Sequence, residues 1–302
     1  MTQNQPAAQQ TQQKQTSELD RFKFQMVYLV PILASIVFGL GCAYLLKPQQ
    51  PATIPVTPLP QNTASGSFGN AFYFVILVAV AATIFYLLLK RRSKRIIKAL
   101  IVVAMTTASL LLSLVYLAAV FNYFPSVGFL WIPLSIAITG LFDFAVFRLG
   151  SLARNIAVIG IGGALGVFFG FEIMLWTAVL ILAFLAVYDV FAVYRGPVGK
   201  IAQSTGGLED LQGLSYDFRD IQMGLGDLVF YSMLVGTMFF SFPSSVLPCL
   251  FSVVGILVGS IITFFILERK GIFPGLPFPI MLGLALGLIT ALVTGLVIPS
   301  LL

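Results

Sequence analysis

The sequence predicts an all-α polytopic membrane protein with nine transmembrane helices, N-terminus inside and C-terminus outside. Three observations carry that expectation. The chain is 59% hydrophobic and only 9% charged, with mean hydropathy +1.00, which no water-soluble core resembles. Its apolar residues fall into nine runs of about 18 to 26 residues, each long enough at about 1.5 Å per residue to cross ~30 Å of hydrocarbon. Its basic residues cluster between alternate runs, as the positive-inside rule requires.

Residues 1–23 hold seven glutamines and almost nothing apolar, and read as a disordered cytoplasmic tail. The first apolar run, 24–46, is too long for a signal peptide, and nothing near it resembles a small-residue cleavage site. Further spans are expected at 70–90, 97–122, 128–148, 154–171, 173–195, 221–241, 246–267 and 278–299, so 24–302 forms one membrane domain. With the N-terminus inside, sixteen of the seventeen basic residues face one side and Lys47 alone faces the other. Trp131 and Trp176 then fall at outer ends, where interfacial aromatics belong. The first outer loop, 47–69, carries five prolines and is expected to be extended or irregular. The inner loop at 196–220, rich in glycine and acids, is expected to be flexible.

Glycines recur four apart at Gly162, Gly166 and Gly170, at Gly255 and Gly259, and at Gly283 and Gly287; this spacing lets helices approach closely in a bilayer. Cys42 and Cys249 sit in apolar runs and read as core residues. The chain contains no histidine, which excludes a Ser-His-Asp triad, a Cys-His pair and any His-ligated metal site within it. Nothing points to a cofactor, and the charge pattern speaks of lipid headgroups rather than nucleic acid.

Two carboxylates stand out. Asp189 and Asp227 lie inside consecutive apolar runs, where an acid is costly unless it is paired, protonated or facing water. Each is about six residues, roughly 9 Å, from the same inner face, so two antiparallel helices hold them at one depth. Close carboxylates share a proton; one can activate water while the other protonates a scissile carbonyl. Gly224 and Gly226 permit a tight or unwound backbone beside Asp227, and Tyr188 is placed to shape the pocket around Asp189. The stretch Phe273-Pro274-Gly275-Leu276-Pro277-Phe278-Pro279 opposes helix and frees backbone groups, either to pair with an extended substrate, to brace the acids, or simply to turn the chain into the last helix. Asp143 and Glu172 read as interfacial. A transporter or ion-leak protein, with the aspartates as proton or cation ligands, is the rival of another class.

Tyr188-Asp189, Gly224-Leu225-Gly226-Asp227 and Pro274-Gly275-Leu276 resemble the YD, GxGD and PAL motifs of the presenilin and signal peptide peptidase family of intramembrane aspartyl proteases. The run from Gly224 to Gly236 is more similar to presenilins than to signal peptide peptidases. The likeness is specific over about residues 180–285, the first five spans carry no recognisable motif, and glycine stands at 275 where the family has alanine. The resemblance implies a presenilin-like nine-span fold and an aspartic peptide hydrolase with Asp189 and Asp227 as the catalytic pair. It also implies that Pro274-Gly275-Leu276 shapes the site and that single-span helical proteins are the substrates; a short, charge-poor chain with a compact inner loop looks like a microbial homologue that works without partner subunits. Prepilin peptidases, which also use a GxGD aspartate, are the closest enzymatic rival; nine spans and the proline-rich stretch stand against them.

Overall fold

The computed structural model describes residues 24–49, 56–91, 94–195, 215–218, 221–270 and 273–296. Among them are nine α-helices: α1 Val30–Leu46, α2 Ala64–Lys90, α3 Lys94–Phe121, α4 Trp131–Arg148, α5 Ser151–Glu172, α6 Leu175–Tyr194, α7 Leu225–Ser241, α8 Leu247–Lys270 and α9 Pro277–Val293. Seven are long and apolar enough to cross a membrane, the first by adding to α1 the 3-10 turn Met26–Leu29 that leads into it; α7 and α9 are apolar but shorter, at 17 residues each. The protein is an integral, multi-pass membrane protein. The expected tail at 1–23 lies outside the described residues, as does most of the expected flexible loop at 196–220.

Of the helix boundaries that differ from the sequence reading, three have a clear local reason. Helix α2 begins at Ala64 rather than near 70 because the Thr63 hydroxyl oxygen accepts the Gly66 N–H at 3.1 Å, which caps its first turn. Helix α9 ends at Val293 rather than near 299. There Gly295 adopts φ +68°, and its N–H and that of Leu296 return to the carbonyls of Leu292 and Ala291, a Schellman ending that favours glycine. Helix α7 starts at Leu225 instead of Ile221. Residues Ile221–Gly224 form a strand, β2, paired antiparallel with β1, Ser215–Phe218, with Ser215 opposite Gly224. Gly224, at φ −66° and ψ 140°, passes the chain from strand to helix.

Helix α7 is the centre of the bundle. From Leu228 to Phe239 every residue but Phe230 is buried, although the helix carries an acid in its first turn. Helix α5 lies along it through the glycine ridge noted in the sequence. A methyl on Gly162 would sit 2.7 Å from Leu228 Cβ, one on Gly170 2.6 Å from the Thr237 nitrogen, and one on Gly166 would run into the Val229 carbonyl. Helix α1 crosses α5 at Gly39 and Gly163, where Ser35 donates to the Ile159 carbonyl at 3.2 Å. Helices α8 and α9 meet the same way: a methyl on Gly255 would lie 2.5 Å from the Leu282 carbonyl, and Ser252 donates to the Gly283 carbonyl at 2.9 Å. The expectation that these glycines serve packing holds. In a bilayer, where apolar surface gains little by leaving lipid, close backbone approach supplies the dispersion that joins helices.

Helices α2 and α4 are peripheral; α2 packs on α3 and α6, and α4 on α3 and α5. The described end of the first loop, from residue 56 onward, is pinned. Gln61 donates to the Glu172 carbonyl at 3.2 Å and accepts the Met174 N–H at 2.7 Å, while Asn70 bonds both backbone groups of Leu59 at 2.9 Å. The loop is thus fastened to the turn between α5 and α6. Trp131 and Trp176 lie in the first turns of α4 and α6.

The two kinds of glycine predict opposite mutational outcomes. Gly166→Ala should cost about 1–3 kcal/mol, because the obstructing atom is backbone and the helices must part. Gly41→Ala, which meets nothing within 4 Å, should be neutral or slightly stabilising. Thermal unfolding of the two purified variants in one detergent checks the difference; equal melting temperatures would contradict the packing assignment.

Candidate active site

Helices α6 and α7 and the connection from α8 to α9 converge at one end of the bundle. Asp189 lies five residues before the end of α6 at Tyr194, and Asp227 is the third residue of α7. Both are partly buried. Because α7 starts four residues later than expected, Asp227 is not a full turn and a half inside the helix. It sits at the helix's first turn, where unsatisfied backbone N–H groups and the positive end of the dipole favour a carboxylate.

The two acids meet on one dipeptide. The Leu276 N–H donates to Asp189 Oδ2 at 3.0 Å. On the other side, a methyl placed on Gly275 would lie 3.1 Å from Asp227 Oδ2 and 3.4 Å from its Cγ and Oδ1. Each carboxylate therefore lies against the Gly275-Leu276 dipeptide. The depth match read from the sequence has become convergence in space.

The proline-rich stretch braces the acids and also opens the last helix. Pro274 and Leu276 are buried, and α9 begins at Pro277, a residue suited to a first helical turn because its missing N–H would have no partner there. Leu276 stands just before the helix, so its N–H is free to reach Asp189. Alanine, the family's residue at this position, would meet a tight space at 275: Asp227 must yield by a few tenths of an ångström.

The other residues singled out in the sequence take different positions. Gly224 and Gly226 are exposed; methyls there would meet Asp227 Oδ2 and the Phe230 ring at 3.8 Å, ordinary contact distances. Their part is the strand-to-helix passage, not a steric need. Leu225 opens α7 and packs partly into the core near Gly162. Tyr188 is half-buried beside Asp189. Asp143 and Glu172 are not drawn into the site. Asp143 Oδ2 accepts from the Thr106 hydroxyl at 2.7 Å, on the α3–α4 side, and Glu172 is buried at the far end of α5. Among the described residues no cluster of three or more His, Cys, Asp or Glu side chains is grouped to hold a metal ion.

One residue that the sequence reading passed over belongs here. Tyr231, 3% exposed, donates its hydroxyl to the Gly275 carbonyl at 2.9 Å. The available signal was its place four residues after Asp227, which puts both on one face of α7; amid a run of apolar residues it read as ordinary core.

Comparison with known proteins bears on the family and the fold. The family model described as signal-peptide peptidase, presenilin aspartyl protease matches residues 34–210, and the presenilin model matches residues 199–298. Presenilin-B of Dictyostelium discoideum is 34% identical over 119 residues, 36% of this chain and 24% of that protein. The chain thus spans about a quarter of the length of that curated relative. Two solved structures of a presenilin family intramembrane aspartate protease share the fold. The C222 crystal form has a TM-score of 0.63 at 21% identity, covering 88% of this chain and 98% of that one. The P2 form has 0.62 at 19%, covering 89% and 99%. With the first model matched over more than half of its length, this chain belongs to the signal-peptide peptidase and presenilin family of aspartyl proteases.

Proposed function

We propose that the protein is an intramembrane aspartyl endopeptidase that hydrolyses peptide bonds of single-span membrane proteins. The observation that carries this reading is the convergence of Asp189 and Asp227 on Gly275-Leu276 from two different helices. Two carboxylates so placed share one proton. The ionised acid takes a proton from water as the water oxygen bonds to the scissile carbonyl carbon, and the protonated acid gives its proton to the carbonyl oxygen. The tetrahedral diol then collapses: the carbon–nitrogen bond breaks, the leaving nitrogen receives the proton held by the first acid, and a hydroxyl proton returns to the second. The pair ends as it began, and neither metal nor covalent intermediate is required.

A substrate helix hides its peptide bonds within its own hydrogen-bond ladder, so cleavage requires local unwinding at the site. Irregular backbone at membrane depth is tolerated where it is buried or lines a cavity, and the stretch from Pro274 to Leu276 is of that kind. The basic residues support an orientation with the N-terminus and the site end on the inner, positively flanked side, with α7 and α9 completing nine spans across the cell membrane. At about 25 Å, a 17-residue helix can do so in a locally thinned bilayer. The compact chain supports activity without obligate partner subunits. The ion-leak reading has less support, because the other acids it would use lie elsewhere: Asp143 faces Thr106 on a different helix pair, and Glu172 stands at the end of α5.

The test is incubation of the purified protein with a model single-span substrate and mass analysis of the products. Asp189→Ala and Asp227→Ala should each reduce cleavage by roughly 10³-fold or more while melting like the parent protein. Asp143→Asn should cleave normally. Retained cleavage in either aspartate variant, or loss of cleavage with ion flux through liposomes abolished by the same changes, would overturn the reading. Gly275→Ala should fold and still cleave, with kcat lowered several-fold because the methyl displaces Asp227; an inactive but folded variant would mean that Asp227 cannot yield.

A further inference from the structure

We propose that Tyr231 is a positioning residue of this site: its hydroxyl fixes the plane of the Gly275–Leu276 peptide and, through that peptide, the orientation of Asp189. The assignment rests on the reading of Asp189 and Asp227 as the working pair.

The argument begins with the peptide unit. The carbonyl of Gly275 and the N–H of Leu276 are two ends of one planar group, and in a trans peptide they point to opposite sides. Tyr231 holds the first at 2.9 Å and Asp189 accepts from the second at 3.0 Å. Rotation of that plane about its Cα–Cα axis would break both bonds together. Each bond therefore steadies the other, and loss of the tyrosine hydroxyl leaves the N–H free to swing away from Asp189.

The sequence makes the carbonyl available for this purpose. The helical partner of the Gly275 carbonyl would be the N–H of residue 279, but residue 279 is proline and has none. The next carbonyl, that of Leu276, takes the ordinary helical bond from Ile280 at 3.0 Å. The freed oxygen needs a donor because it lies beside buried Pro274 and Leu276, and an unpaired backbone group there is costly. Tyr231 is well placed to supply one. Its ring is almost wholly buried in the most enclosed helix of the bundle, so the hydroxyl is held rather than searching. It stands one turn from Asp227 and within electrostatic reach of both carboxylates. Helix α7 thus brings one acid directly and aims the other through a single peptide.

The experiment uses the full chain, with a fluorescent peptide bearing an apolar span of about 20 residues as substrate. Tyr231→Phe keeps the ring and removes only the hydroxyl. It should lower kcat by roughly 10- to 100-fold with KM unchanged, the pattern of an interaction that matters in the transition state and not for substrate binding. A second variant, Pro279→Ala, offers the Gly275 carbonyl a competing N–H and should lower kcat in the same way. The double variant should be little worse than the weaker single one, since both changes release one peptide plane. A folded Tyr231→Phe enzyme with parental kcat, a change confined to KM, or fully multiplicative effects in the double variant would each overturn the assignment. Should Tyr231→Phe fail to fold, parental kcat in Pro279→Ala alone overturns it. If the aspartate variants retain cleavage, the active-site reading itself fails; if they are inactive while Tyr231→Phe is unaffected, only the role of Tyr231 fails.

Discussion

A carboxylate within an apolar helix must find a partner, water or a proton, and this molecule has two that lie against one dipeptide. The surrounding structure answers that constraint with backbone. Asp189 receives an N–H from Leu276, and Asp227 occupies the first turn of α7, where helix N–H groups lack intrahelical acceptors. Asp189 thus has a main-chain partner left free by the proline-rich stretch, and Asp227 lies where a strand gives way to helix. Lysine or arginine in the same place would have imposed a second buried charge.

Those interruptions are affordable only within a rigid frame. The glycine ridge of α5 against α7, the crossing of α1 over α5 and the glycine contacts between α8 and α9 bring backbones close enough that side chains have little freedom to shift. Helix α7 lies at the centre of this frame, which explains how one helix can be nearly all buried and still present an acid at its end. The site is held by packing deeper in the bundle, and the dipeptide between the acids inherits that rigidity through Tyr231 and through α9.

Much of this was legible in the residues. Nine apolar runs and one-sided basic clusters implied the helices, and all nine expected spans match their helices closely at one end or both. Depth matching of Asp189 and Asp227 followed from counting residues along antiparallel spans. Three prolines in the stretch from Pro274 to Pro279 announced free backbone before the partners of that backbone were known. Tyr231 escaped notice because a tyrosine in an apolar run looks the same whether its hydroxyl meets lipid headgroups or a carbonyl. Similarly, Ile221–Gly224 read as helix because their hydropathy continues that of α7; pairing with Ser215–Phe218 is a contact between segments that hydropathy does not register.

The sequence by itself determined that the chain lies in a membrane and where most of its helices run, and it singled out two acids in consecutive apolar runs, because hydropathy, charge bias and residue counts act along the chain axis. Rotation about each helix axis, and so whether two acids at one depth face each other, is set by side-chain packing between helices that are distant in sequence. Only the tertiary structure decided that Asp189 and Asp227 meet on Gly275-Leu276, that Asp143 faces Thr106 instead, and that a buried tyrosine hydroxyl has the Gly275 carbonyl as its partner. Those outcomes depend on azimuth, and azimuth is a property of the assembled bundle.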